Sequence, residues 1–326
     1  MIKNKTVLIL GAGASINYGF PSGLQLKAEI CREINKRGDI YDDLIRFRNS
    51  EDEVQSFYDN LLLSSEMSID AFLEHNPKYF DLGRRAIANI LLRKERHDEL
   101  FDKWIDKWLD PQNKDKHWYQ LLFSKLNAQF EDFEKNELKI ITFNYDRSLE
   151  YFLLKSMTAK YSEHKAEDIL AKLLKIPILH IYGKLGNLPG YDSQGPFVHY
   201  DIFHEAKIER KDGSWWRNYI YNASSKIITI HQAKEKGDVI ETAQSYLKDS
   251  QRIYFLGFGY DFVNMGHLFL WNRLNLLKQE GIDLGQRCFG TMMGLSPHHK
   301  ISLQEFGLIN IEQEDYDARV IHSKLF

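Results

Sequence analysis

Cysteine is nearly absent from this chain of 326 residues: only Cys31 and Cys288 occur, far apart and outside any CxxC pair. Neither a disulfide framework nor a cysteine-built zinc site can be assembled from them, and a reducing cytoplasm is the compartment that fits. Long apolar runs are missing too. No stretch approaches the roughly 18 apolar residues of a membrane helix. The N-terminal Val7-Leu8-Ile9-Leu10 run is shorter than the roughly 7–15 residues of a signal-peptide core, so neither export nor membrane insertion is expected. Charge of one sign is also scarce, since 43 Lys+Arg face 46 Asp+Glu for a net −3, which argues against direct nucleic-acid binding. With 43% hydrophobic and 27% charged residues, the composition is that of a globular protein of one large domain or two ordinary ones.

What is present is a series of short apolar runs: Thr6–Leu10, Lys139–Phe143, Ile176–Ile181, Lys226–Ile230, Arg252–Leu256 and Arg287–Met293. Near-continuous hydrophobicity of this length marks strands of a parallel sheet buried on both faces. Helical patterns follow several of them, at Arg147–Lys155, Asp238–Lys248 and Asn264–Lys278. The fold class expected is therefore α/β, a doubly wound, mostly parallel sheet. Residues 25–136 carry almost no strand signal and read as a helical insertion, leaving 1–24 and 137–326 as the core. Within the insertion, Ser68 opens a short helix that Asn76-Pro77 closes, and the apolar stripe from Trp118 through Phe133 predicts one helix running to Asn136. From Gly183 to Gly195, glycine and proline forbid regular structure and predict a long surface loop.

Four motifs sit where strands end. Gly11-Ala12-Gly13-Ala14-Ser15 follows the first strand, and glycines there let backbone amides approach a phosphate ahead of a helix. Ile16 stands where the dehydrogenase fingerprint has its third glycine, and Glu29 and Glu33 fall on a helical stretch and not at a strand end, which weakens a hydride-transfer reading. Thr142-Phe143-Asn144-Tyr145-Asp146 ends the second strand. Asn144 or Asp146 can simply cap the next helix, or Asn144 can hold a water or a sugar hydroxyl. His180-Ile181-Tyr182-Gly183 ends the third run, and residues i and i+2 of a strand share a face, so His180 and Tyr182 are expected to project together. His180 could serve as a base, and Tyr182 could donate a hydrogen bond or stack on a ring. Leu256-Gly257-Phe258-Gly259-Tyr260 is a second glycine junction, followed by Asp261 and Asn264. Ligands of open parallel sheets bind outside the carboxyl ends of strands, so all four motifs are expected to converge on one crevice.

In this order, GAGAS with the following Gly19-Phe20-Pro21-Ser22-Gly23, then TFNYD, HIYG and LGFG resemble the motifs of the sirtuin-like domain family. The likeness is greatest to the bacterial branch found in anti-phage defence, NAD-degrading enzymes sometimes encoded beside a HerA-type ATPase. The resemblance implies a Rossmann-like NAD site and hydrolysis of the nicotinamide–ribose bond. By position it implies Gly11, Ala12, Gly13, Ser15, Pro21, Thr142, Gly257, Gly259 and Tyr260 for NAD binding. Asn144 and Asp146 would serve the reacting ribose and its water, with His180 as base. The family carries histidine immediately before the HG glycine, where this chain has Tyr182; His180 would sit ~7 Å further back at ~3.3 Å per residue. Two cysteines cannot supply the zinc module of deacylating sirtuins, and the His298-His299 pair has no ligand spacing, so no metal is expected.

The activity expected is an NAD+ glycohydrolase that passes through an oxocarbenium-like state. A non-catalytic module sensing NAD or ADP-ribose is the alternative from another class, with protein ADP-ribosyl or acyl transfer a third. A destructive NADase implies control by homo-oligomerisation or by a partner, with the helical insertion as the contact region.

Overall fold

The computed structural model describes residues 1–108, 117–205, 214–228, 232, 238–260, 262–267, 288–291 and 310–312. Six parallel strands form one sheet in the spatial order β3-β2-β1-β4-β5-β6. They are β1 (Thr6–Leu10), β2 (Leu138–Thr142), β3 (Ile178–His180), β4 (Arg252–Leu256), β5 (Cys288–Thr291) and β6 (Asn310–Glu312). This order, with β1 and β4 adjacent at the centre, is that of doubly wound dinucleotide-binding sheets. All five residues of β1 are buried, as a central strand covered on both faces must be. Its Leu8 lies opposite Ile140 of β2 and Tyr254 of β4.

Between β1 and β2 the chain is helical. A 3₁₀ segment over Ala12–Tyr18 ends at Gly19, and then come α1 (Gly23–Asn35), α2 (Asp39–Arg46), α3 (Glu51–Leu63), α4 (Ile69–His75), α5 (Phe80–Lys94), α6 (His97–Leu100), α7 (Asp102–Trp108) and α8 (Trp118–Lys125). Local chemistry sets several starts. Ser22 with Gln25 and Ser50 with Glu53 form capping boxes, and the Ser68 hydroxyl accepts the Ala71 N–H. The remaining helices are α9 (Ser148–Lys160), α10 (Ala166–Leu173), α11 (Ile202–Glu205), α12 (Ser214–Ser224), α13 (Asp238–Asp249) and α14 (Phe262–His267). Glu29 and Glu33 do lie within α1, where Glu29 pairs with Lys94 at 2.9 Å.

Several expectations are corrected. The helix beginning at Trp118 stops at Leu126, because Asn136 turns its side-chain amide onto the carbonyls of Leu126 and Phe133, folding the chain back before β2. Lys226–Ile230 is not a strand in its described part: Ile227 makes one isolated antiparallel bridge to Gly183, and 229–230 lie outside the described residues. The segment after Gly183 is irregular, as expected, but only partly a surface loop: Leu185, Leu188 and Tyr191 are buried, whereas Gly190 and residues 193–195 are exposed. Strand β6 was not foreseen. The helix expected over Asn264–Lys278 is described only to His267, and Asp261 and His298-His299 lie outside the described residues. Among the described residues no helix is long and apolar enough to cross a membrane.

Candidate functional site

The loops after β1, β2 and β4 meet at the centre of the sheet, on its carboxyl edge, where β1 and β4 lie side by side and the winding reverses. The two glycine motifs are packed directly against each other. Gly11 N–H donates to the Leu256 carbonyl at 3.0 Å and Gly13 N–H to the Gly257 carbonyl at 2.9 Å. A Cβ on Gly11 would stand 2.5 Å from the Gly257 oxygen, and one on Gly257, whose φ is +55°, would stand 1.9 Å from the Ala14 nitrogen. The glycines are thus required by loop-on-loop contact, and the amides of Gly11 and Gly13 are spent within the protein instead of facing a phosphate. Gly259 differs, because a Cβ there would meet nothing within 4 Å. Tyr260 is buried against Phe255 and turned toward Gly290 of β5.

The turn after β2 is held by a chain of hydrogen bonds. Thr142 accepts the Asn144 N–H on its hydroxyl at 3.1 Å, so Thr142 shapes the turn. Asn144 Nδ2 donates to the Gly11 carbonyl at 3.0 Å and to Ser15 Oγ at 3.1 Å, and Ser15 Oγ donates to Asp146 Oδ2 at 2.8 Å. From the other side, the Tyr119 hydroxyl donates to Ser148 Oγ at 2.6 Å, and Ser148 in turn donates to Asp146 Oδ1 from both its hydroxyl and its N–H. Two chains therefore converge on one buried carboxylate. Burial pushes the Asp146 carboxyl above its ordinary range, against the opposing pull of Ser148 and Ser15. With both amide hydrogens used, Asn144 Oδ1 has no protein partner among the described residues.

His180 does not stand free as a base. Its Nδ1 is 2.8 Å from the Asn144 carbonyl and its Nε2 is 2.7 Å from Glu150 Oε1. Both ring nitrogens are therefore engaged by oxygen partners within the protein. The side chains are 7% and 2% exposed. Burial alone would raise the Glu150 carboxyl, but the adjacent His180 charge holds it below its ordinary range. His180 thereby fixes the backbone of Asn144 from behind. The strand ends at His180, so the alternation expected to carry Tyr182 to the same face stops there. Tyr182 instead packs edge-on against Phe143 and donates its hydroxyl to Asn264 of α14.

Ala12, Ser15, Pro21, Asn144 and Asp146 line one cavity of about 60 Å³, together with Phe143, Tyr145 and Asp70. Gly11, Gly13 and Gly257 form its support, and Tyr182 faces a smaller space beside it that Asp70 and Tyr145 share. Asp70 and Glu150 escape the sequence reading: Asp70 looks like a first-turn acid of α4 and Glu150 like one of α9. Below the site lies a further buried pair, Arg147 with Glu95, both fully inaccessible. Arg147 Nε donates to Glu95 Oε1 at 3.0 Å and its Nη1 to the Val198 carbonyl at 2.6 Å. This ties the end of α5 and the irregular segment to the turn after β2. No family model and no curated protein matches this chain.

Proposed function

We propose that the chain is an NAD+ glycohydrolase that cleaves the nicotinamide–ribose bond to give nicotinamide and ADP-ribose. The observation that carries this reading is Asn144 at the carboxyl end of β2, its amide hydrogens held by Gly11 and Ser15 and its Oδ1 left for the crevice. An acceptor fixed in that way suits the orientation of a water or a ribose hydroxyl beside a developing oxocarbenium ion. The ordered resemblance to the sirtuin-like defence family and the strand order support it. The fit of NAD is partial. A cavity of about 60 Å³ is well below the ~300–1,000 Å³ of small-molecule sites, so the dinucleotide needs the surrounding loops to part. Self-assembly, a HerA-type ATPase partner, a cytoplasmic site of action and a role in anti-phage defence belong to the same proposal.

One observation favours a second reading. With both nitrogens of His180 engaged, a module that senses NAD or ADP-ribose without turnover is better served than under the family's histidine-base scheme. The test is NAD+ consumption by the purified protein with products resolved by chromatography, for wild type, Asn144→Ala and His180→Gln. Nicotinamide and ADP-ribose from wild type, lost with Asn144→Ala, support the hydrolase. Binding of NAD+ without products from any form supports the sensor.

A further inference from the structure

With His180 engaged on both sides, hydrolysis lacks the base that the attacking water requires, and the cavity itself offers two carboxyls. A volume of about 60 Å³ exceeds the ~10–15 Å³ that one water needs. Any water within it is bounded by Asn144 on one wall and by Asp70 and Asp146 on others. The two acids are not equivalent. Asp146 accepts from Ser15 on one oxygen and twice from Ser148 on the other, which leaves little capacity for a new proton donor. Asp70 accepts from one side-chain donor among the described residues, the Tyr145 hydroxyl, on Oδ1. It is half-buried and belongs to α4, in the helical region between β1 and β2. Burial raises its carboxyl above the ordinary range, against the opposing pull of the Tyr145 hydroxyl.

We propose that Asp70 is the general base of the hydrolysis, a catalytic residue contributed by the helical region; this rests on the hydrolase reading given above. Asn144 Oδ1 and Asp70 hold the water between them. The water oxygen bonds to ribose C1′ as the C1′–N bond breaks, and that bond's electron pair returns to the ring nitrogen, discharging the pyridinium. The water's proton passes to the Asp70 carboxylate and leaves with solvent after the products. The leaving nicotinamide is neutral, so no acid is needed on its side. Tyr145 is a positioning residue that fixes the Asp70 rotamer.

The experiment compares wild type, Asp70→Asn, Asp70→Ala and Asp146→Asn for NAD+ turnover, NAD+ affinity by calorimetry, and turnover in added sodium azide. Azide is already an anion and attacks C1′ without losing a proton. The expected result is a fall in kcat of about 10²–10⁴-fold for both Asp70 variants with NAD+ affinity unchanged. Azide is expected to restore cleavage as an azido-ADP-ribose product. Wild-type rates in Asp70→Asn overturn the base assignment alone and leave the hydrolase standing. Loss without azide rescue, or rescue confined to Asp146→Asn, also overturns it. Absence of NAD+ cleavage by wild type overturns the assignment together with the hydrolase reading.

Discussion

Strands β1 and β2 carry a cavity at each of their ends, and the two differ in almost every respect. At the amino ends lies a space of about 360 Å³ lined by Lys5, Lys139, Lys175, Glu134, Tyr246 and Asp249. At the carboxyl ends lies the crevice of about 60 Å³ around Asn144, Asp146 and Asp70. The larger one has mixed charges whose side chains are mostly exposed, such as Lys5, Lys175, Glu134 and Asp249. In the smaller one Ser15, Asn144, Asp146 and Asp70 are each anchored by a named hydrogen bond, while Asn144 Oδ1 keeps no protein partner among the described residues. Preorganisation is what chemistry requires, because orientation lowers a barrier and volume alone does not. A parallel sheet supplies this asymmetry through its winding, since the loops that can meet do so outside the carboxyl ends.

The largest effect that would break this contrast comes from below the crevice. Arg147→Met leaves Glu95 buried without its partner and costs about 3–5 kcal/mol, measured by urea denaturation at neutral pH. Burial, outweighing the neighbouring Arg147, pushes the Glu95 carboxyl up to about 7. The folded protein therefore holds this proton more tightly than the unfolded chain. The stability contributed by Glu95 is fully present below the ordinary carboxylate range and is lost as the pH rises toward about 7. Arg147, Asp146 and Glu150 face it; Asp146 is shifted in the same direction, and Glu150, held down by His180, in the opposite one. Denaturation midpoints from pH 5 to 8 are expected to fall in wild type and to fall less in Glu95→Gln. A slope unchanged in Glu95→Gln removes this pair from the account.

The next effect sharpens the contrast within a single motif. Gly257→Ala forces a side chain onto a backbone at φ +55° and into the Ala14 nitrogen, a cost of about 1–3 kcal/mol from the strain alone. Gly259→Ala, with open space at its Cβ, is expected to stay within about 0.5 kcal/mol. Parallel denaturation curves of the two variants decide the point. Equal midpoints would mean that the contact between the glycine loops does not hold the crevice together.

Much of this frame was legible in the sequence, for reasons that also explain what was not. Strands β1 and β4 are runs of five apolar or tolerated residues buried on both faces, and their bounds follow directly from the pattern. Strand β6, Asn-Ile-Glu, has three residues and no such run. The helix from Trp118 outran its true end because the signal that stops it is a long-range one, the Asn136 amide on Leu126. At the site, strand-end motifs pointed to Ala12, Ser15, Asn144 and Asp146, and the family resemblance to Pro21, all of which line one cavity. Asp70 and Glu150 could not be found that way. Each sits in the first turn of a helix, where an acid is expected for the helix dipole alone, and only the tertiary fold brings Tyr145 and His180 to them.

The smallest expected effect tests whether the larger cavity matters to the crevice at all. Lys139 lies on β2 with its Nζ 4.5 Å above the Tyr246 ring, a contact worth roughly 0.5–1 kcal/mol at a partly exposed position. Its backbone register against Val7 of β1 does not depend on the side chain. Lys139→Ala is therefore expected to lower stability by no more than about 1 kcal/mol and, under the proposed hydrolase function, to leave NAD+ affinity and turnover at wild-type values. A change in NAD+ affinity on Lys139→Ala would couple the two ends of the same strand through the sheet, and the division between a loosely lined cavity and a preorganised one would then fail.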